Sequence, residues 1–215
     1  MKDVLTLYHR PYDPCRPVMC FDEKTLQLLA DSASRPVRPV QAGHPRRQDY
    51  EYVRHGTRNI FLWVEPKVGY RYTLVTLQRT KADFAKAMRY LVDVLYPAAH
   101  VEQIDLVIDN LNTHTTDTLI EIYGKPEADR ILSRLVFHYT PLHASWTNIA
   151  EIEFSAMTSQ CLDRRIPDEW TLASELVAWE LRRNQRAEPI RWSFTWKRAK
   201  RMFIEREPDT AATST

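Results

Sequence analysis

The amino-acid order predicts an α/β fold, a mixed sheet of five strands flanked by helices. Two strand-like runs, residues 59–64 and 70–77, are joined by Glu65-Pro66-Lys67-Val68-Gly69, a glycine-containing loop of hairpin length, so they pair antiparallel. An amphipathic stretch then leads to an apolar run at residues 104–108. Strand, helix and strand in that order require a crossover, hence a parallel pairing.

Taken in order, residues 1–16 hold Tyr8-His9-Arg10-Pro11-Tyr12-Asp13-Pro14 and predict an irregular N-terminal arm. Residues 17–24 predict a short apolar strand ending in Asp22. Residues 31–59 are polar and basic, with Arg35, Arg38 and Arg46 beside or near prolines, and predict an extended loop. The two hairpin strands follow, giving a three-stranded antiparallel meander with the Asp22 strand. Thr80-Lys81-Ala82-Asp83 has the spacing of a capping box with Asp83 in the acidic position. Phe84, Met88, Leu91 and Leu95 then recur at four, three and four, the core face of a helix.

The fourth strand ends in Leu106-Val107-Ile108-Asp109-Asn110, followed by His114. Two short helices are expected near 116–123 and 126–134, and a fifth strand near 136–139. Thr140 to Thr147 reads as a loop, with Asn148 as N-cap of the next helix. On that helix Ile149, Ile152 and Ala156 share one stripe, and Asn148, Glu151 and Ser155 another. Glu153 lies about 200° around from Glu151, so only one of the two can face a given site. Glu151 shares its face with the helix entry and is the choice. A helix over about 170–187 should turn Leu172, Leu176 and Trp179 inward and Arg182, Arg183 and Arg186 outward. Residues 191–201 interleave aromatics with bases, which suits either packing of the terminus or a grip on nucleic acid. The folded domain is expected over 17–205, with a small, polar, disordered tail at 206–215.

Composition excludes several classes. Four glycines against thirteen prolines, with no G-x-G-x-x-G or Walker pattern, argue against a glycine-rich phosphate loop. Cys15, Cys20 and Cys161 show no metal-binding or disulfide spacing and suit a reducing cytoplasm. No secretory signal or membrane span is expected. A net charge of +2 is too small to establish a nucleic-acid partner, but the arginines are locally clustered. Arg46, Arg47, Arg54, Arg58, Arg164, Arg165, Arg182 and Arg183 are the candidate phosphate contacts.

Each acidic candidate has an ordinary alternative. Asp22 and Asp109 fit polar turns that close strands, and His138 and His143 fit loop or core histidines. The case for chemistry lies in their order. Three antiparallel strands, a helix, a parallel strand, further helices and a strand, then a carboxylate-bearing helix is the order of a ribonuclease H-like fold. Such an arrangement puts Asp22, Asp109 and Glu151 around one point, and like charges crowded together call for divalent cations. An all-oxygen donor set favours Mg²⁺ or Mn²⁺ over zinc.

The motifs Cys20-Phe21-Asp22-Glu23-Lys24, Asp49-Tyr50-Glu51-Tyr52, Asp109-Asn110-Leu111-Asn112-Thr113-His114 and Asn148-Ile149-Ala150-Glu151-Ile152-Glu153 carry a resemblance. With Gln160 to Ile166 and Trp179 to Asn184, they resemble the DDE catalytic domain of bacterial insertion-sequence transposases related to Tc/mariner elements, across residues 8–203. The resemblance implies Asp22, Asp109 and Glu151 as catalytic residues and ligands of two Mg²⁺ or Mn²⁺ ions. It implies supporting positions for Asn110, His114 and Asn148, and metal-dependent strand cleavage and transfer at element ends. The implied partner is double-stranded DNA, both terminal inverted repeats and target, in the nucleoid, with a homodimer compatible. Leu142 departs from an expected basic residue and Thr147 from an expected apolar one. Nothing of helix-turn-helix length precedes Tyr8, so end recognition is expected from a separately encoded domain. That shortfall leaves a stand-alone ribonuclease H-like nuclease and a catalytically silent DNA-binding remnant as alternatives.

Overall fold

The structure, a computed structural model, describes residues 1–32, 50–142 and 144–203. Its first element is a helix, α1 (Lys2–His9), where an irregular arm is expected from sequence. The prolines that suggest the arm, Pro11 and Pro14, lie beyond His9, so they end the helix without interrupting it. Val4, Leu5, Leu7 and Tyr8 form its buried face.

Five strands make one sheet in the order β3-β2-β1-β4-β5. β1 (Val18–Asp31) pairs antiparallel with β2 (Tyr52–Glu65), which pairs antiparallel with β3 (Tyr70–Thr76). β1 does not stop at Asp22, and residues 52–58 are strand and not loop. Leu26 faces Arg58 and Asp31 faces Tyr52, with a register shift between Gln27 and Leu29, so the two strands continue as a ribbon. The β2 part of that ribbon is largely exposed, and no buried face imposes the alternation that makes a strand readable.

Helix α2 (Lys81–Tyr90) opens with the expected capping box, Thr80 and Asp83 bonding each other's backbone, and continues into a wider turn at Leu91–Leu95. It delivers the chain to β4 (Ile104–Ile108), parallel to β1 with Val18 beside Asp105. Helices α3 (Thr116–Tyr123) and α4 (Lys125–Leu132) lead to β5 (Leu135–Tyr139), parallel to β4. Alternate residues of β1 and β2 supply two cores. Met19, Phe21, Phe61 and Trp63 pack with Phe84 and Met88 of α2 and Ile131 of α4. Cys20, Ile60, Leu62 and Val64 pack against α5 (Ile149–Met157) and α6 (Glu169–Arg186).

Leu172, Leu176 and Trp179 of α6 face inward as the spacing predicts. On α5 the stripe is displaced: Ile149 is buried but Ile152 is 46% exposed, and Phe154 and Met157 fill the interface instead. The turn between β2 and β3 is pressed against the end of α6. A Cβ at Gly69 (φ +78°) would lie 2.4 Å from the Glu188 carbonyl oxygen, so only glycine fits. Residues 196–203 form α7 (Trp196–Phe203), the last helix among the described residues. The expected disordered tail, 206–215, lies outside the described residues.

Asp105, fully buried at the start of β4, ties the N-terminal segment to the sheet. Arg10 reaches it at 2.6 Å, Arg16 binds it through two nitrogens at 2.8 and 2.9 Å, and His138 Nε2 lies at 3.0 Å. Burial alone would raise its pKa, but the bonds from Arg16, His138 and Arg10 hold it below the ordinary value. Its contribution is therefore complete above the unfolded pKa of ~3.9 and lost as pH falls through the lower folded pKa. Asp105→Asn is expected to cost about 1–3 kcal/mol at neutral pH and to flatten the acid limb of stability. Thermal melts of both proteins from neutral pH down to about pH 2 check this; parallel curves would refute it.

Candidate active site

Asp22 and Asp109 are brought together by register. Cys20 pairs with Val107 in the parallel β1–β4 ladder, and carrying that register two residues on sets Asp22 beside Asp109. Asp22 lies within β1, on the face that α5 covers, since alternation puts it with Cys20. Asp109 follows the last residue of β4 and is partly exposed.

Asn148 fixes the third carboxylate. Its Oδ1 accepts from the Ala150 amide at 3.1 Å as the N-cap, and its Nδ2 donates to the Phe21 carbonyl at 2.8 Å. The start of α5 is thereby pinned to the residue before Asp22, with Glu151 in the first helical turn. Thr147 supports the same turn, donating to the Ala144 carbonyl at 2.7 Å from a fully buried position. A hydroxyl thus closes the 3₁₀ turn Ser145–Thr147 where an apolar residue was expected. Leu142, the other departure, is 79% exposed.

Asp109 and Glu151 both act on Asp22 electrostatically. The Asp22 carboxyl is pushed up to about 7, first by burial, with Asp109, Glu151 and Glu23 adding repulsion and the Glu23 amide opposing it. A divalent cation would remove that repulsion, and all three carboxylates offer the oxygen ligands that Mg²⁺ or Mn²⁺ takes. Among the described residues no three His, Cys, Asp or Glu side chains are grouped closely enough to hold a metal ion as they stand.

His114 lies behind Asp109. Its ring is fully buried, with Nδ1 bonded to Asp109 and Nε2 3.7 Å from Glu23, an ion contact too long for a hydrogen bond. Burial alone would lower its pKa, but Asp109 and Glu23 outweigh it and hold the imidazole at about 9. It is therefore an imidazolium at neutral pH, and it fixes the orientation of Asp109. Asn110 is exposed in the turn after Asp109.

Glu153 is withdrawn from the site, as the helix angle predicts. Arg71 binds it at 2.9 and 3.0 Å and Arg183 at 2.9 and 3.1 Å. Arg183 therefore turns inward, contrary to its expected outward placement with Arg182. Arg71 is missed by the sequence reading although a signal exists, an arginine in a strand whose other residues are aromatic, apolar or threonine. Glu23 and Lys24 are missed too. Lys24 shares the Asp22 face and donates to Thr158 Oγ1 at 2.8 Å, on the side of α5 that carries Glu151.

The remaining basic candidates scatter over the surface. Arg54 sits on the ribbon, its guanidinium 5.8 Å from the Tyr52 ring centre, and Arg182 is exposed. Arg58 pairs with Glu169 at 2.5 Å, Arg164 with Glu175, and Arg165 with Asp31 at 2.7 Å. Arg46 and Arg47 lie outside the described residues.

Compared with curated protein sequences, the chain matches none. Among solved structures it resembles the Mos1 transposase paired-end complex with the left transposon end, at 15% identity and a TM-score of 0.50 over 83% of this chain and 51% of that one. It also resembles the Mos1 strand transfer complex, at 15% identity and a TM-score of 0.53 over 86% and 54%. The chain spans about half the length of those proteins, and at this identity the likeness concerns the fold alone, a ribonuclease H-like arrangement. The sequence model of the DDE superfamily endonuclease matches residues 17–173, which include Asp22, Asp109 and Glu151. With that match over most of its length, the chain belongs to the DDE superfamily endonucleases.

Proposed function

We propose that residues 17–205 are the catalytic domain of a DNA transposase, cleaving and joining strands at the ends of a mobile element. What supports this reading is the family match across Asp22, Asp109 and Glu151, with the β1–β4 register that aligns Asp22 with Asp109 and Glu153 held away by Arg71. Asp22, Asp109 and Glu151 would hold two Mg²⁺ or Mn²⁺ ions. The chemistry such a pair supplies is polarisation of the phosphoryl oxygen, activation of the attacking hydroxyl and stabilisation of the leaving oxygen. His114 keeps the Asp109 carboxylate in one orientation, and Asn148 keeps the Glu151 helix seated on β1. Lys24, two residues along the strand from Asp22 and on the same face, would offer a positive charge to a DNA phosphate near the site. The likeness to the Mos1 paired-end complex with a transposon end supports DNA ends as the substrate class. Among the described residues no helix is long and apolar enough to cross a membrane.

Recognition of terminal repeats would come from a helix-turn-helix domain outside these residues. Phosphate contacts position DNA without reading it, so this chain alone is expected to bind duplexes non-specifically, with Kd of about 10⁻⁴ to 10⁻⁶ M at physiological salt. A gel-shift salt series with terminal-repeat and scrambled duplexes tests this. A strong preference for the repeat by these residues would place recognition inside the domain and refute the division. The catalytic reading itself is tested by Mn²⁺-dependent plasmid nicking, which Glu151→Gln should eliminate; nicking that survives would sink it.

A further inference from the structure

The C-terminal segment interleaves aromatic and basic residues, and the fold sorts the two onto different surfaces. Trp192 lies against Tyr8, ring centres 5.3 Å apart, and Phe194 against Trp146 at 5.3 Å. His9 Nε2 lies 3.4 Å from the Phe194 carbonyl. α7 then packs on α1, with Ala199 fully buried. Lys197, Arg198, Lys200 and Arg201 remain exposed. At about 100° per residue the four bases fall within one arc of about 160°, and α7 contains no acidic residue.

This basic face is anchored close to the catalytic cluster. Trp146, which holds Phe194, is two residues from Asn148, and Asn148 is bonded to the carbonyl of Phe21 beside Asp22. Arg198 lies over the Phe194 ring at 5.8 Å, so the start of α7 is tied to the same anchor.

We propose that the basic face of α7 is a DNA-contact surface, holding backbone phosphates of the duplex that flanks the strand in the Asp22–Asp109–Glu151 site. The proposal rests on the transposase reading and adds to it a surface outside the eight arginines singled out from sequence. A basic amphipathic helix can also bind lipid, but it does so by burying its apolar face in the bilayer. In α7 Ala199 of that face is already buried and the helix packs on α1, so beside the four bases Met202, 44% exposed, offers too little apolar surface to enter a bilayer. Polyanion phosphates need only charge.

The test is the double variant Lys197→Gln/Arg201→Gln of the full chain, which leaves Arg198 on Phe194. Binding to a fluorescent duplex of arbitrary sequence is followed by anisotropy across a salt series. The slope of log affinity against log salt should become shallower by about 1–2, with affinity about tenfold weaker at low salt and an unchanged melting temperature. The charge-preserving pair Lys197→Arg/Arg201→Lys should behave as the parent chain. If the Gln pair keeps the parent slope and affinity, α7 is not a DNA surface. If the charge-preserving pair loses binding as well, shape and not charge is responsible, and the proposal fails equally. Loss of binding only to phosphatidylserine vesicles, with DNA binding intact, would assign the face to lipid. A parent chain that binds no DNA at all would instead overturn the transposase reading.

Discussion

Asp22→Asn is expected to eliminate Mn²⁺-dependent cleavage, a loss of at least about 10³-fold, and at the same time to raise the melting temperature of the metal-free protein above pH 7. The two effects share one cause. Asp22 is partly buried and feels Asp109, Glu151 and Glu23, and its carboxyl holds its proton up to about pH 7. The unfolded chain releases the same proton near pH 3.9. Between those values the folded state binds more protons, so stability falls as pH rises through the window. An asparagine carries no charge to desolvate and still accepts the Glu23 amide. The gain should amount to several degrees, at roughly 2–4 °C per kcal/mol for a chain of this size, and it should vanish below about pH 4. Calorimetric scans at pH 4 and pH 8 without metal, alongside nicking assays, decide the matter. A variant less stable than the parent at pH 8 would show that Asp22 is not the strained member of the cluster.

The second large effect separates two glutamates two residues apart. Glu153→Gln is expected to destabilise the fold by about 3–5 kcal/mol, because it leaves the buried Arg71 guanidinium without its counter-charge. Arg71 and Glu153 are almost completely buried, and Arg183 shares the same carboxylate. Glu151→Gln should instead change stability within about 0.5 kcal/mol, since Glu151 is only half-buried, while removing cleavage. Urea denaturation and plasmid nicking of both variants measure the contrast. Equal stability of the two, or cleavage lost only in Glu153→Gln, would reverse the assignment of the third carboxylate.

The hairpin, the α2 capping box, the β4 run and the inward stripe of α6 were all readable from residues close in the chain. Each rests on a local rule: a turn length, a cap spacing, a period of 3.6. A parallel pairing for β4 followed from the order of elements, but that its partner is β1, which aligns Asp22 with Asp109, was decided by the folded sheet. The angle between Glu151 and Glu153 was a matter of helix geometry. The β1–β2 ribbon was not readable, because its β2 residues are exposed on both faces and carry no alternation. The N-terminal helix was obscured by prolines that lie just beyond it.

Other features depend on partners far apart in sequence. Arg71 meets Glu153 and Arg183, Arg10 and Arg16 meet Asp105, and His114 joins Asp109 to Glu23 across the sheet. A charged side chain looks the same in sequence whether solvated, paired in the interior or turned toward a ligand. Arg183 and Arg182 are adjacent arginines on one helix, yet the first neutralises a buried carboxylate and the second faces water. Local periodicity specifies which elements form and which face is apolar, because backbone geometry repeats within a few residues. The protonation of Asp22 and His114 and the loyalties of the arginines are set by burial and by opposite charges, and only the packed chain brings those within a few ångströms.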